Sequence, residues 1–256
     1  MFRTETGFPV KRLRVECLGH FACFPDEKRT YLQWRTRKAE ELFAFLIHHG
    51  GNPVPRAKIL DTIWPRFHPE QAARNLHATS WSIRSTLGSA GCDGLFLRSR
   101  TYYRVDMEAI DCDAHQFTAF VQRMTPGDTG MDLMEQALTL YNGPYLADWP
   151  YEWAAGRRRW LKNEHEKLQY ALAAARQQAG LPQQALDLYK MIIRSNPLAG
   201  KAYETFITLS LEQGEELVAL MYFREYSDVL DKQLGLRPPP RLSQLIQDIR
   251  TASTLP

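Results

Sequence analysis

The chain has 256 residues, 44% of them apolar, and a net charge of +3. That length and composition suit one large or two modest globular domains and exclude a disordered or fibrous chain. No apolar run approaches the roughly 18 residues of a membrane helix, and the charges in "MFRTETGFPVKRLRVECLG" exclude a signal peptide, so a soluble, cytoplasmic protein with no membrane partner is expected.

The predicted elements run as follows. "LRVECL" (13–18) and "HFACF" (20–24) are short apolar runs around Gly19 and read as a hairpin or small sheet, to which "TYLQW" (30–34) adds a strand. Ala39, Leu42, Phe43 and Leu46 then fall at helical spacing, so 37–49 is a helix, with Thr36 as its N-cap and Gly50–Gly51 as its stop. His48 and His49 sit at that end and read as capping groups rather than metal ligands, because no partner lies at ligand spacing. "PRAKILDTIW" (55–64) is a second helix that Pro65 ends. A third starts near Pro69 and stops at Gly88, and "LFLRS" and "TYYRV" form a hairpin with its tip at Ser99, Arg100 and Thr101.

From "DCDAHQFTAFVQRM" onward the pattern is helical, and segment 107–112 is the expected domain boundary. "AGLPQQALDLYKMI" (179–192) and "QGEELVALMYFREY" (213–226) align at a spacing of 34, pairing Gly180 with Gly214, Ala185 with Ala219 and Tyr189 with Phe223. That period, with small residues at helix crossings, is the tetratricopeptide signature. "MEQALTLYNGPYL" (134–146) reads as an earlier, irregular repeat. The basic run "GRRRW" (156–160) reads as a solvated face balanced by Glu164 and Glu166, or else as a further phosphate or partner contact. Cys17, Cys23, Cys92 and Cys112 form no C-x-x-C pair and read as ordinary thiols.

The third helix is the most informative stretch. In "RNLHATSWSIRSTL" (74–87), Leu76, Ile83 and Leu87, with Ser80 between them, make the buried stripe, leaving Arg74, Asn75, His77, Ala78, Trp81, Ser82 and Ser85 on the other side. No acidic residue occurs between Glu70 and Asp93. Residues 1–111 carry 17 Lys/Arg against 12 Asp/Glu, whereas the remainder carries 15 against 17, so the acid-free helix lies in the basic part. It is the last of three helices, the usual groove reader of a helix-turn-helix order. Arg and Asn can pair with guanine and adenine edges, Ser, Thr and His donate to phosphates, and a carboxylate there would repel the backbone. Arg98, Arg100 and Thr101 on the hairpin complete a candidate DNA-binding surface. Trp81 either covers a sugar–phosphate ridge or turns back to pack at the helix edge.

The order of sheet, three helices and hairpin resembles the OmpR/PhoB-type winged helix. "WRTRKAEELFAFLIHHGGNPVPRAKILDTIWP", "ARNLHATSWSIRSTLG" and "LRSRTYYRVD" resemble the DNA-binding domain of the Streptomyces antibiotic regulatory protein (SARP) group. "ALTLYNGPYLAD", "QALDLYKMIIRSNPLAGKAYETF" and "LDKQLGLRPPPRL" resemble the bacterial transcriptional activator domain that follows it there. The expected fold is therefore α+β: an arm or linker at 1–12, a winged helix-turn-helix at 13–108 and an all-α, tetratricopeptide-like domain at 109–256. The resemblance implies an activator that binds repeated double-stranded DNA half-sites, as a homodimer would, and contacts RNA polymerase. It implies polymerase contact for the loop before the recognition helix, here Pro65, Arg66, Phe67 and His68. Where the family has further Arg or Lys in that helix, this chain has Ser82 and Ser85, and Tyr102–Tyr103 replaces a Gly-Tyr pair.

No P-loop, G-x-G-x-x-G, nucleophile elbow or metal spacing occurs, so no enzyme and no cofactor is expected. The competing reading is an interaction scaffold whose winged helix binds protein rather than DNA.

Overall fold

The computed structural model describes residues 12–25, 30–124 and 130–252, with side chains as far as 248. The expected N-terminal arm, Arg12 apart, lies outside them. The chain forms two compact units: 1–125 with 139–162, and 126–138 with 163–256.

In the first unit β1 (Leu13–Glu16) pairs antiparallel with β2 (Ala22–Pro25), Leu13 opposite Pro25, and Leu13 and Val15 turn inward by the two-residue alternation of a strand. The expected strand at 30–34 does not form. Its aromatic residues pack instead, Tyr31 on Phe24 at 6.4 Å and Trp34 on Phe43 at 5.0 Å between ring centroids, and Leu32 N–H makes a single bond to Cys23 O.

Helix α1 (Arg37–His48) starts as expected: the Thr36 hydroxyl accepts the N–H of Ala39 at 3.1 Å. It stops at Gly50 and Gly51, whose φ of 62° and 81° suit residues without a Cβ. Strand β3 (Val54–Pro55) precedes α2 (Arg56–Ile63), so Pro55 is a strand residue opposite Tyr102 and the helix begins one position later than its sequence suggests. Helix α3 runs Pro69–Ser89. Strands β4 (Phe96–Arg98) and β5 (Tyr102–Val105) form the expected hairpin, and β3 joins it in a sheet of order β3-β5-β4.

Strand β6 (Ile110–Cys112) lies parallel to β1, giving a second sheet of order β2-β1-β6. It carries no alternation long enough to be legible in the sequence. It places Asp113, first residue of α4 (Asp113–Arg123), where one carboxylate oxygen accepts Cys17 N–H at 2.8 Å and the other Leu18 N–H at 2.9 Å. The segment after α5 (Met131–Leu140) returns to the same sheet: Leu146 N–H bonds to Cys17 O at 2.8 Å and Gly19 N–H to Pro144 O at 3.1 Å. The compact units thus do not divide at 107–112. Backbone pairing and the Asp113 carboxylate hold 110–123 and the "NGPYLAD" stretch to the first sheet.

"GRRRW" opens α6 (Ala155–Gln178), and it is solvated only in part: Arg159 is exposed, whereas Arg157 and Arg158 are half-buried and turn to carbonyls. Arg158 donates to the carbonyls of Tyr145 (2.7 Å), Leu146 (3.1 Å) and Trp149 (2.8 Å). Arg157 donates to His48 O at 3.2 Å and lies over the Tyr145 ring.

His48 packs against Trp153 and Tyr145. Burial, with Arg157, His49, His115 and Lys58 adding repulsion, holds its pKa down at about 4. The unfolded chain takes that proton near pH 6.5 and the folded chain only near 4, so stability is full above 6.5 and falls between the two. Burial pushes Asp113 the other way, up to about 6, which offsets part of the loss. Urea midpoints between pH 7.5 and 4.5 should therefore fall with acid, and His48→Gln should flatten that slope by about 1–2 kcal/mol over the range, discounted for partial exposure. An unchanged slope would remove His48 from the acid response.

The second unit is helical. Helices α7 (Pro182–Ser195) and α8 (Gly200–Glu212) pack together, as do α8 and α9 (Glu216–Leu234), with α10 (Pro240–Ala252) last. The 34-residue repeat has a structural counterpart. Gly180 and Gly214 sit at equivalent turns with φ of 72° and 75°, and Ala185 and Ala219 are both fully buried. The 134–146 stretch departs from a repeat, because only its first part is helical. Stacking of Tyr203 on Tyr226 at 4.5 Å and the 4.1 Å Phe206–Tyr222 contact fill the α8–α9 seam. Ala185→Phe or Ala219→Phe should overpack these crossings and destabilise the unit by about 1–3 kcal/mol. Unchanged melting temperatures in both would contradict the repeat packing.

Candidate nucleic-acid interface

The sequence of α3 fixes which way it faces. Leu76, Ile83 and Leu87 are buried, and Ser80 joins them because its hydroxyl donates back to Leu76 O at 2.7 Å. On the opposite side Arg74, His77, Ala78 and Trp81 are exposed, and Asn75 and Ser85 half-buried. Arg74 donates to Gln71 Oε1 at 2.8 Å, and Gln71 donates to Asn75 Oδ1 at 3.2 Å, so one short network holds three of these side chains.

Ser82 is a correction. It is buried, and its hydroxyl has no hydrogen-bond partner among the described residues. It stands one turn from buried Thr79 and Thr86 and shares their burial rather than joining the outward stripe. Arg84 belongs to that stripe instead: it is exposed and one turn beyond Trp81. The sequence reading missed it, although its spacing from His77 and Trp81 carries the signal.

The hairpin brings its cations to the same side of the unit. Ser99 Oγ accepts the N–H of Thr101 and of Tyr102, both at 3.1 Å, and so shapes the tip. Thr101 O accepts Arg56 N–H at 2.8 Å, tying the tip to the start of α2. Arg98, Arg100 and Thr101 are exposed. A cleft of about 500 Å³ opens between these elements, lined by Arg56, Ala73, His77, Arg98, Arg100 and Tyr103 among others. No carboxylate lines it, so it is an electropositive notch shared by α2, α3 and the hairpin.

Trp81 does not turn back into the helix packing. It is 61% exposed, and the Arg35 guanidinium lies over its ring at 5.2 Å from the centroid. Arg35 precedes the α1 cap, where no periodic pattern marked it. Pro65, Arg66, Phe67 and His68 are all exposed, above a buried Trp64 that is flanked by the Lys38 ammonium. Lys38 also donates to Ile63 O at 2.8 Å, which fixes the end of α2 from which this loop departs.

All four cysteines are buried and unpaired by disulfides. Cys17, Cys112 and Asp113 bring their ligand-type atoms within 4.8 Å of one another. The hydrogen bond shared with Cys112 and burial push the Cys17 thiol well up, and both Asp113 oxygens already accept backbone N–H groups, so this donor set is poorly suited to a cation.

Residues 112–250 match the family described as the bacterial transcriptional activator domain. Two regulatory proteins named AfsR are similar over most of the chain. The one from Streptomyces griseus is 24% identical, covering 82% of this chain and 22% of its own length. The one from Streptomyces coelicolor is 23% identical, covering 96% and 25%. The chain thus spans about a quarter of the length of these relatives. Among solved structures, Mycobacterium tuberculosis EmbR in complex with a low-affinity phosphopeptide superposes with a TM-score of 0.71 at 22% identity, covering 96% of this chain and 67% of that one. At that identity the likeness is one of fold, and it is the expected fold: a small N-terminal sheet-and-helix part followed by helices. With the match spanning more than half of its residues, the chain belongs to the bacterial transcriptional activator domain family of SARP-type regulators.

Proposed function

We propose that the chain is a sequence-specific DNA-binding transcriptional regulator, an activator that works in the cytoplasm and has no enzymatic activity. The observation that carries this reading is the acid-free stripe Arg74–His77–Ala78–Trp81–Arg84–Ser85, flanked by the electropositive notch of Arg56, His77, Arg98 and Arg100. A stripe of this width fits the major groove, and Arg74 and Asn75 have the chemistry to read base edges. The hairpin tip reaches the backbone or the adjacent minor groove. The functional division is 13–108 for DNA binding and 109–256 for activation, with the exposed Pro65–His68 loop touching RNA polymerase. Binding to repeated half-sites would pair two copies.

Titrating the whole chain with duplex DNA across a salt series tests this, because neutralising phosphates makes affinity fall steeply with salt. Arg100→Ala should weaken binding to any duplex to a similar degree and lower the salt slope by about one phosphate. A salt-independent affinity, or none, would favour the protein-binding scaffold.

A further inference from the structure

Trp81 sits at the centre of the outward stripe of α3, more than half exposed. Large aromatic side chains are normally covered on folding, and here nothing on the helix covers it. Of the residues one turn away, Ala78 and Ser85 on one flank are small and His77 and Arg84 on the other are longer, so the indole is left uncovered on the Ala78–Ser85 side. Arg35 lies over one ring face, a cation–π contact that restricts the ring without hiding its edge. The surroundings are cationic: Arg35, Arg74 and Arg84 are all exposed, and the helix carries no carboxylate beyond Glu70. An apolar edge held inside a positive surface is complementary to a polyanion that presents an isolated apolar group. Duplex DNA does so in its major groove, where the thymine C5-methyl is the one apolar group among donors and acceptors.

We infer that Trp81 is a specificity-determining residue that reads a thymine methyl in the major groove, with Arg35 as the positioning residue that holds the indole edge toward it. This rests on the DNA-binding reading above and adds the base and the atom recognised. Arg74 and Asn75 supply hydrogen bonds one to two turns earlier on the helix, and Trp81 supplies the apolar contact that separates thymine from cytosine or uracil.

The test uses the whole chain and its preferred duplex, selected from a random pool. Each thymine is replaced in turn by deoxyuridine, which removes one methyl and leaves the pairing intact. The wild type should lose about threefold to fivefold in affinity at one or two positions, the worth of one buried methyl. Trp81→Ala should bind the thymine and uracil duplexes equally, and Arg35→Ala should narrow the difference between them. A wild type indifferent to every replacement overturns the inference, whatever the variants do, while salt-dependent binding to the selected duplex leaves the DNA reading standing. Undiminished uracil discrimination in Trp81→Ala overturns it too. Failure to select or bind any duplex overturns the DNA reading and this inference with it.

Discussion

Arg158→Ala should destabilise the first compact unit by about 2–4 kcal/mol, more than any single surface change in the chain. The guanidinium donates to three carbonyls within one stretch, those of Tyr145, Leu146 and Trp149. Tyr145 and Leu146 are buried; Leu146 O keeps the Trp149 N–H at 3.2 Å, so truncation strands chiefly the Tyr145 acceptor. Hydrogen bonds to charged groups contribute about 1.5–3 kcal/mol each and are not additive within one cluster. The same stretch holds Leu146 at a φ of 51°, a left-handed conformation that a branched side chain adopts only when its surroundings impose it. Losing Arg158 removes part of that constraint. Arg159, its exposed neighbour in the same basic run, is the control: Arg159→Ala should stay within about 0.5 kcal/mol of wild type. Urea denaturation of both variants separates the cases. Equal midpoints would mean that the three carbonyl contacts contribute nothing to stability.

That arginine shows where a sequence reading stops. The helices were legible because their apolar residues recur at helical spacing and their ends carry Thr36, Gly50 and Gly51. The hairpin was legible from "LFLRS" and "TYYRV". The 34-residue period alone places Ala185 and Ala219 at helix crossings. Strand β6 was not legible, because three residues have no period and their partner strand lies about a hundred positions away. "TYLQW" has the composition of a strand, but its rings are used against Phe24 and Phe43. "GRRRW" looked like surface charge, since no local pattern reveals that a guanidinium will meet carbonyls nine to thirteen residues back. On the candidate surface, Arg74, His77 and Ala78 are exposed as read, and Trp81, for which the sequence leaves two orientations open, takes the exposed one. Ser82 did not, because a small polar side chain on the flank of a helix suits burial beside Thr79 and Thr86 as well as solvent. Arg35 and the notch with Arg56 depend on contacts between elements, which periodicity does not carry.

The second large effect is expected at Arg74. It is exposed near the start of α3, opposite the Leu76–Ile83–Leu87 stripe, and its bond to Gln71 orders the side chain without satisfying all five of its N–H donors. On the proposed DNA-binding reading, an ordered, outward guanidinium at the start of α3 would pair bidentately with guanine. Arg74→Ala should therefore cost about 1–3 kcal/mol on the preferred site. On random duplex it should cost much less, because only a phosphate-scale attraction is lost there. Folding should be unaffected, since Arg74 belongs to no buried stripe. The most direct measurement is a titration of wild type and Arg74→Ala, as whole chains, against the selected duplex and a scrambled one of equal length and composition at the same salt. The ratio of the two affinities should collapse by about tenfold or more in Arg74→Ala while the melting temperature holds. An Arg74→Ala chain that binds the selected duplex as tightly as wild type would contradict α3 as the reader of DNA sequence.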